Sequence, residues 1–103
     1  MKRVDNELEF DKLLKPNSDF KNFDFRGPDP GILVDFRGID LSGSDFTGAI
    51  MWDMDLSEAD LRNCIFRNVD LRGCDLYDAL TDGADFSGAN LLGTRMPDGS
   101  VDE

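Results

Sequence analysis

Few residues in this chain combine the type and the spacing needed for chemistry. Asp35, Asp55 and Asp75 recur every 20 residues, and carboxylates gathered in a row can hold calcium or share a proton. Cys64 and Cys74 are the two cysteines, and no histidine is present to complete a zinc site with them. Arg62, Arg67 and Arg72 follow one another at intervals of five; they would form a phosphate site only if the fold turned them to one side. No Ser or Cys stands beside a plausible base and no glycine-rich phosphate loop occurs, so the sequence offers no catalytic, cofactor-binding or metal-binding group. What remains is adhesive rather than reactive. Ile50, Trp52, Arg72, Tyr77 and Leu92 have the composition of an interaction hot spot.

The element that positions these residues is a period of five. From Val34 the chain reads VDFRG, IDLSG, SDFTG, AIMWD, MDLSE, ADLRN, CIFRN, VDLRG, CDLYD, ALTDG, ADFSG, ANLLG and TRMPD, thirteen pentads without a slip. Ten of the thirteen third residues are Leu or Phe, the others being Met51, Thr81 and Met96. The first residue is mostly small, and the one between is usually Asp or Asn, as expected of a side chain on the opposite face of a strand. The fifth is Gly, Asn or Asp in twelve of thirteen, the types that tolerate positive φ and turn the chain. Each pentad therefore reads in, out, in, out, turn.

These residues resemble the A(D/N)LXX signature of the pentapeptide-repeat family, and the small cyanobacterial members in particular. The resemblance implies an all-β fold, a right-handed quadrilateral parallel β-helix with four pentads per coil. An independent check on four sides is that stacked positions recur every 20 residues, and Phe46, Phe66 and Phe86 do so. Phe36, Leu56, Leu76 and Met96 form a second column, Met51, Leu71 and Leu91 a third, Leu41, Leu61 and Thr81 the last. In that geometry Cys64 and Cys74 are core-filling residues on opposite walls of one coil. Arg62, Arg67 and Arg72 diverge onto three faces, and the Asp column is the repeat's ordinary outward position.

Upstream, SDFKN (18–22) and FDFRG (23–27) fit the register before a break, PDPGIL (28–33), in which Pro28 and Pro30 exclude a regular strand. If the break replaces one pentad and bulges by one residue, Phe25 joins the Phe46 column and Phe20 the Leu41 column. The β-helix then runs from 18 to 98 in about four coils, preceded by a cap over 1–17 and followed by a tail over 99–103. Within the cap, a short helix is expected over 5–15: Asn6 and Glu9 are spaced as a capping box, Phe10, Leu13 and Leu14 have helical spacing, and Pro16 ends the segment. At the other end Pro97, Asp98, Asp102 and Glu103 are expected to blunt the last edge, unless it pairs with another copy.

The chain's 103 residues carry 11 basic and 22 acidic groups, net -11. Residues 34–98 account for 5 − 13 = -8 of this, so the acidity belongs to the repeats. An acidic surface disfavours direct nucleic-acid binding and anionic membranes. The start, MKRVDNELEF, lacks the apolar stretch of a secretory signal, and no apolar run is long enough to cross a bilayer, so a cytoplasmic protein is expected. The function expected is a noncatalytic protein-interaction module with a regulatory or assembly role, monomeric or a homodimer through its C-terminal coil, with an unspecified protein as partner. The alternative is an acidic DNA mimic acting on an enzyme such as gyrase, a role the family includes. Length argues against it: four coils at about 4.8 Å make roughly 19 Å, under two-thirds of a turn of duplex.

Within the expected prism, Ile50 and Trp52 lie on one face, Leu92 two coils away with Arg72 between, and Tyr77 on the next face. This is the expected partner surface. The competing expectation is that the N-terminal cap or the 28–33 loop folds over Ile50 and Trp52.

Overall fold

The computed structural model describes residues 14–26 and 36–102. The helix expected over 5–15 falls outside these residues for all but its last two positions, and the 28–33 break and Asp35 fall outside them entirely. Among the described residues the second residue of each pentad makes isolated parallel bridges, and from Asp40 onward each bridge to the following layer joins residues 20 apart: Asp40 to Asp60, Ile50 to Asp70, Asp55 to Asp75, Asp75 to Arg95. Four pentads therefore make one layer of a solenoid, and layers stack through short parallel contacts rather than long strands.

Three kinds of backbone bond join a pentad to the layers on either side of it. The third N–H donates to the second-position carbonyl of the next layer (Leu61 to Leu80, 2.8 Å), and the fifth N–H to its fourth-position carbonyl (Asn63 to Asp82, 2.9 Å). The second N–H donates backwards (Asp60 to Ile39, 2.8 Å). The corner is a β-turn in which the third-position carbonyl accepts the N–H three residues on, as in Ala59 to Leu56 at 3.1 Å. Its third residue, the fifth of the pentad, sits at positive φ: Asn63 at 60°, Gly73 at 71°, Asp78 at 58°. That geometry is the reason the sequence places Gly, Asn or Asp there. Gly73 has a second reason, because a Cβ would collide with the Asp53 carboxylate, which folds over it from the layer before.

The second-position Asp also has a backbone role. Asp40, Asp45, Asp55, Asp60, Asp70, Asp75 and Asp85 each accept the N–H of the residue two on through Oδ1, between 2.9 and 3.3 Å. These are Asx turns, which fix the entry to the corner. Asn90 supplies the same oxygen to the Leu92 N–H at 3.2 Å, so the turn selects Asp or Asn at this position.

Inside, Phe46, Phe66 and Phe86 form a continuous ring stack, 5.0 Å between successive centroids and within 4° and 6° of parallel. Leu41, Met51, Leu56, Leu61, Leu71 and Leu76 fill the other columns and are fully buried. Small first-position residues line the corners, and where they are polar they donate into the layer before: Cys64 to Leu41, Cys74 to Met51, Thr94 to Leu71. Both cysteines are buried free thiols.

The upstream register differs from the sequence expectation. Asp19 bridges Asp45 and Asp24 bridges Ile50, a spacing of 26 rather than 21. Phe20, not Phe25, joins the Phe46 column, stacking on Phe46 at 5.2 Å and 15°, and Phe25 precedes Met51, its N–H donating to Ile50 at 2.9 Å. This spacing exceeds that of the other layers by six residues, the number in the break. The third-position N–H of a side must donate to the next layer, which Pro30 could not do if 28–32 formed a side. Among the described residues the first layer comprises 18–22, 23–26, 36–38 and 39–43.

At the C-terminal end the chain reverses after Pro97. Val101 bridges Arg95 antiparallel, closing one side of the last layer with residues 99–102.

Candidate interaction surface

The bridges fix which outward residues share a column. Asp24, Ile50, Asp70 and Asn90 stack at the second position of one column, so two residues further on its fourth positions are Arg26, Trp52, Arg72 and Leu92. The structure thus brings together four of the five expected surface residues, Ile50, Trp52, Arg72 and Leu92. Tyr77 belongs to the neighbouring column, between Ser57 and Pro97.

Trp52 is the centre of this column. Its ring is 39% exposed and lies between two guanidinium groups, Arg26 of the layer before and Arg72 of the layer after, each with Cζ 4.7 Å from the ring centroid. Each arginine is fixed by a bidentate pair with the Asp two residues earlier. Arg26 donates to Asp24 at 3.0 and 3.0 Å, and Arg72 to Asp70 at 2.9 and 2.8 Å. Trp52 Nε1–H also donates to Asp70 Oδ2. Asp70 is held below the ordinary carboxylate range, chiefly by the Arg72 side-chain bond, against some desolvation and with help from Trp52. The result is an aromatic edge clamped in one orientation and charge-balanced by two ion pairs. Leu92, 58% exposed, extends the apolar surface beyond Arg72. Trp52, Asp53, Arg72 and Gly73 line a shallow depression beside it.

Sequence reasoning missed Arg26 and the two aspartates, Asp24 and Asp70. The wrong upstream register placed Arg26 on another face. The signal available was the recurring D-x-R of FDFRG, ADLRN and VDLRG, since two residues along this backbone put a guanidinium onto a carboxylate. Where the Asp is replaced by Ile65, Arg67 reaches Asp85 of the next layer instead, at 3.9 Å.

The other candidates behave differently. Tyr77, 41% exposed, is covered on one face by Arg95, whose Cζ lies 4.6 Å from its centroid while its guanidinium pairs with Asp75 at 2.9 Å. Arg62 pairs with Asp60, so Arg62, Arg67 and Arg72 each have a separate carboxylate and do not converge. Of the Asp column, Asp55 accepts from Ser57 and Asp75 from Tyr77 and Arg95. Among the described residues no group of three or more His, Cys, Asp or Glu side chains is placed to hold a metal ion. Burial pushes the Cys64 thiol up to about 11 and the Cys74 thiol to about 12, which removes the thiolate a redox or nucleophilic role requires.

Comparison with known proteins agrees with the repeat. The family of pentapeptide repeats matches residues 34–63 and 64–98. Among solved structures, the chain is similar to the pentapeptide repeat protein Rfr23 from the cyanobacterium Cyanothece 51142, with 29% identity, a TM-score of 0.56, and coverage of 77% of this chain and 46% of that one. It is also similar to a pentapeptide repeat protein from the Arabidopsis thaliana thylakoid lumen (30% identity, TM-score 0.42, 84% and 60% covered). A third is HetL of Nostoc sp. strain PCC 7120, described as involved in heterocyst differentiation regulation (23%, 0.38, 85% and 51%). The chain spans about half the length of these structures. No curated protein matches its sequence. With thirteen unbroken pentads, bridges every 20 residues and a family match over 65 residues, the chain belongs to the pentapeptide-repeat family.

Proposed function

We propose that this chain is a noncatalytic protein-interaction module. In this reading its layers form a right-handed quadrilateral β-helix of about four coils that holds the Trp52 column out to a protein partner in a regulatory or assembly role. The observation that carries the reading is the clamp on Trp52. The repeat requires no large apolar group at an outward fourth position, yet the one tryptophan stands there, sandwiched between Arg26 and Arg72, each locked to its own aspartate. A fixed aromatic with arginine neighbours loses little rotamer freedom on binding, so more of its contact energy appears as affinity. Because each arginine is neutralised in place, the patch is locally balanced on a chain of net charge -11, and association through it is expected to be insensitive to salt.

The duplex-mimic reading is less well supported. A mimic needs carboxylates free to stand in for phosphates, and most second-position aspartates are engaged in Asx turns, several also in arginine pairs. Mimicry predicts that binding falls steeply with salt and that the chain inhibits or protects gyrase in a supercoiling assay.

The test is a pull-down from the native lysate with the parent chain, Trp52→Ala and Arg72→Ala, each shown by thermal melt to be folded, at low and high salt. Loss of one partner with both variants and at both salt levels supports the proposal. Retention of every partner by folded Trp52→Ala overturns it.

A further inference from the structure

The two ends of the solenoid are finished differently. In the first layer Phe20, Phe23, Phe25 and Phe36 are between 2% and 8% exposed, whereas Ala84, Phe86, Ala89 and Leu91 in the last layer are only partly buried. The chain closes one side of that last layer with its own tail: Gly93 N–H donates to Asp102 (2.6 Å), Asp102 N–H to Thr94 (3.0 Å), and Met96 N–H to Ser100 (2.7 Å). Five residues earlier the equivalent groups are Gly88 N–H, the Ala89 carbonyl and Leu91 N–H. Ten residues earlier they are Gly83 N–H, the Ala84 carbonyl and Phe86 N–H. None of these six groups has a hydrogen-bond partner among the described residues. An unpaired edge over half-buried apolar side chains is a template for strand addition.

We infer that these two sides are a docking edge for an extended segment of a partner protein, added antiparallel in the register that residues 100–102 use against 94–96. The occupant's chemistry follows from what it must face. Opposite Met96 the tail places Ser100; opposite Phe86 or Leu91 an apolar side chain is required to finish the core. Opposite Arg95 the tail places Val101; the counterpart of Arg95 is Asn90 on the adjacent open side and Asp85 on the side beyond it, so a Lys or Arg opposite Asp85 forms a favourable cross-strand pair. The segment is therefore extended, apolar at alternate positions, with a basic residue between. A second copy of this chain fits less well. Its tail, residues 99–103, carries Asp102 and Glu103 and has no Lys or Arg to set opposite Asp85. The Leu91 side of this edge belongs to the same column as Trp52, whereas the Gly83 to Phe86 side does not, so protection read at Gly83 and Phe86 can fail or hold independently of the Trp52 surface.

The experiment uses the isotope-labelled full chain and a capped synthetic pentapeptide, Thr-Val-Lys-Val-Thr, with amide hydrogen exchange read residue by residue. In the free chain, Gly83, Phe86, Gly88 and Leu91 are expected to exchange at least tenfold faster than Gly93 and Met96. Millimolar peptide is expected to slow Gly83 and Phe86 at least tenfold and leave Gly93 and Met96 unchanged. The same peptide N-methylated at its second Val, the residue that donates to Ala84, is expected to have no effect, and Asp85→Lys to weaken the peptide at least tenfold. Slow exchange of these amides in the free chain, protection that rises with protein concentration alone, an equal effect from the methylated peptide, or no protection at millimolar peptide would each overturn the inference.

Discussion

Replacing Phe66 by alanine attacks the fold at the middle of its longest ring stack. Phe66 is fully buried, with Phe46 and Phe86 parallel to it at 5.0 Å on either side. A buried phenylalanine removes at least about 150 Å² of apolar surface from water, which at ~25 cal/mol per Å² is worth about 4 kcal/mol. That agrees with the usual loss of about 3 to 5 kcal/mol for Phe→Ala in a core. Against a total stability of about 5 to 15 kcal/mol for a chain of this size, the variant should be marginally folded. Phe86→Ala is the internal comparison. Its ring stacks on one side only and is partly exposed, so about half that loss is expected, roughly 2 kcal/mol. Urea unfolding followed by far-ultraviolet circular dichroism gives both values from the shift in midpoint at constant slope. A loss below about 1 kcal/mol at Phe66, or equal losses at the two positions, would refute the stacking argument.

Both thiols should resist a thiol reagent at pH 8 until denaturant is added, since burial and a thiol pKa pushed up to about 11 for Cys64 and about 12 for Cys74 leave no reactive thiolate; rapid labelling of either in the native protein would contradict the register. Gly73→Ala should destabilise more than Gly38→Ala in parallel melts: both sit at φ +71°, but an added Cβ meets the Asp53 carboxylate at Gly73 and nothing within 4 Å at Gly38. Asp70 and Asp75 are held below their ordinary value of 3.8, chiefly by side-chain bonds from Arg72 and Arg95. A depressed folded pKa contributes stability that is fully present above the unfolded value and lost as pH falls through the folded one. Stability should therefore be flat above pH 3.8 as far as these two groups decide it and decline below it, and Arg72→Ala should flatten that decline.

The solenoid was legible because its constraint is local and repeated. Turn geometry demands Gly, Asn or Asp every fifth residue, the core demands Leu or Phe two residues earlier, and the column Phe46, Phe66, Phe86 sets the number of sides. The Trp52 column was legible in part, since Ile50, Trp52, Arg72 and Leu92 all lie downstream of the break. Arg26 was not, because pentad spacing says nothing about how many residues an insertion adds to a layer. The role of the aspartates was also hidden. An outward Asp and an Asx-turn Asp occupy the same position of the repeat, and only the Oδ1 to N–H contact distinguishes them. The closure of one side by residues 99–102 had no periodic signal, because the tail runs antiparallel to the repeat it covers.

The central claim is that a partner docks on the outward side of the Trp52 column, and site-directed photocrosslinking tests it most directly. A photoreactive phenylalanine is placed at Leu92 in that column, at Ser57 in the next, and at Arg62 beyond it, and each protein is irradiated in native lysate. One crosslinked partner is expected from Leu92 alone, absent when Trp52→Ala is added and undiminished by high salt. The same partner crosslinked from Arg62, or from Leu92 regardless of Trp52, would contradict it.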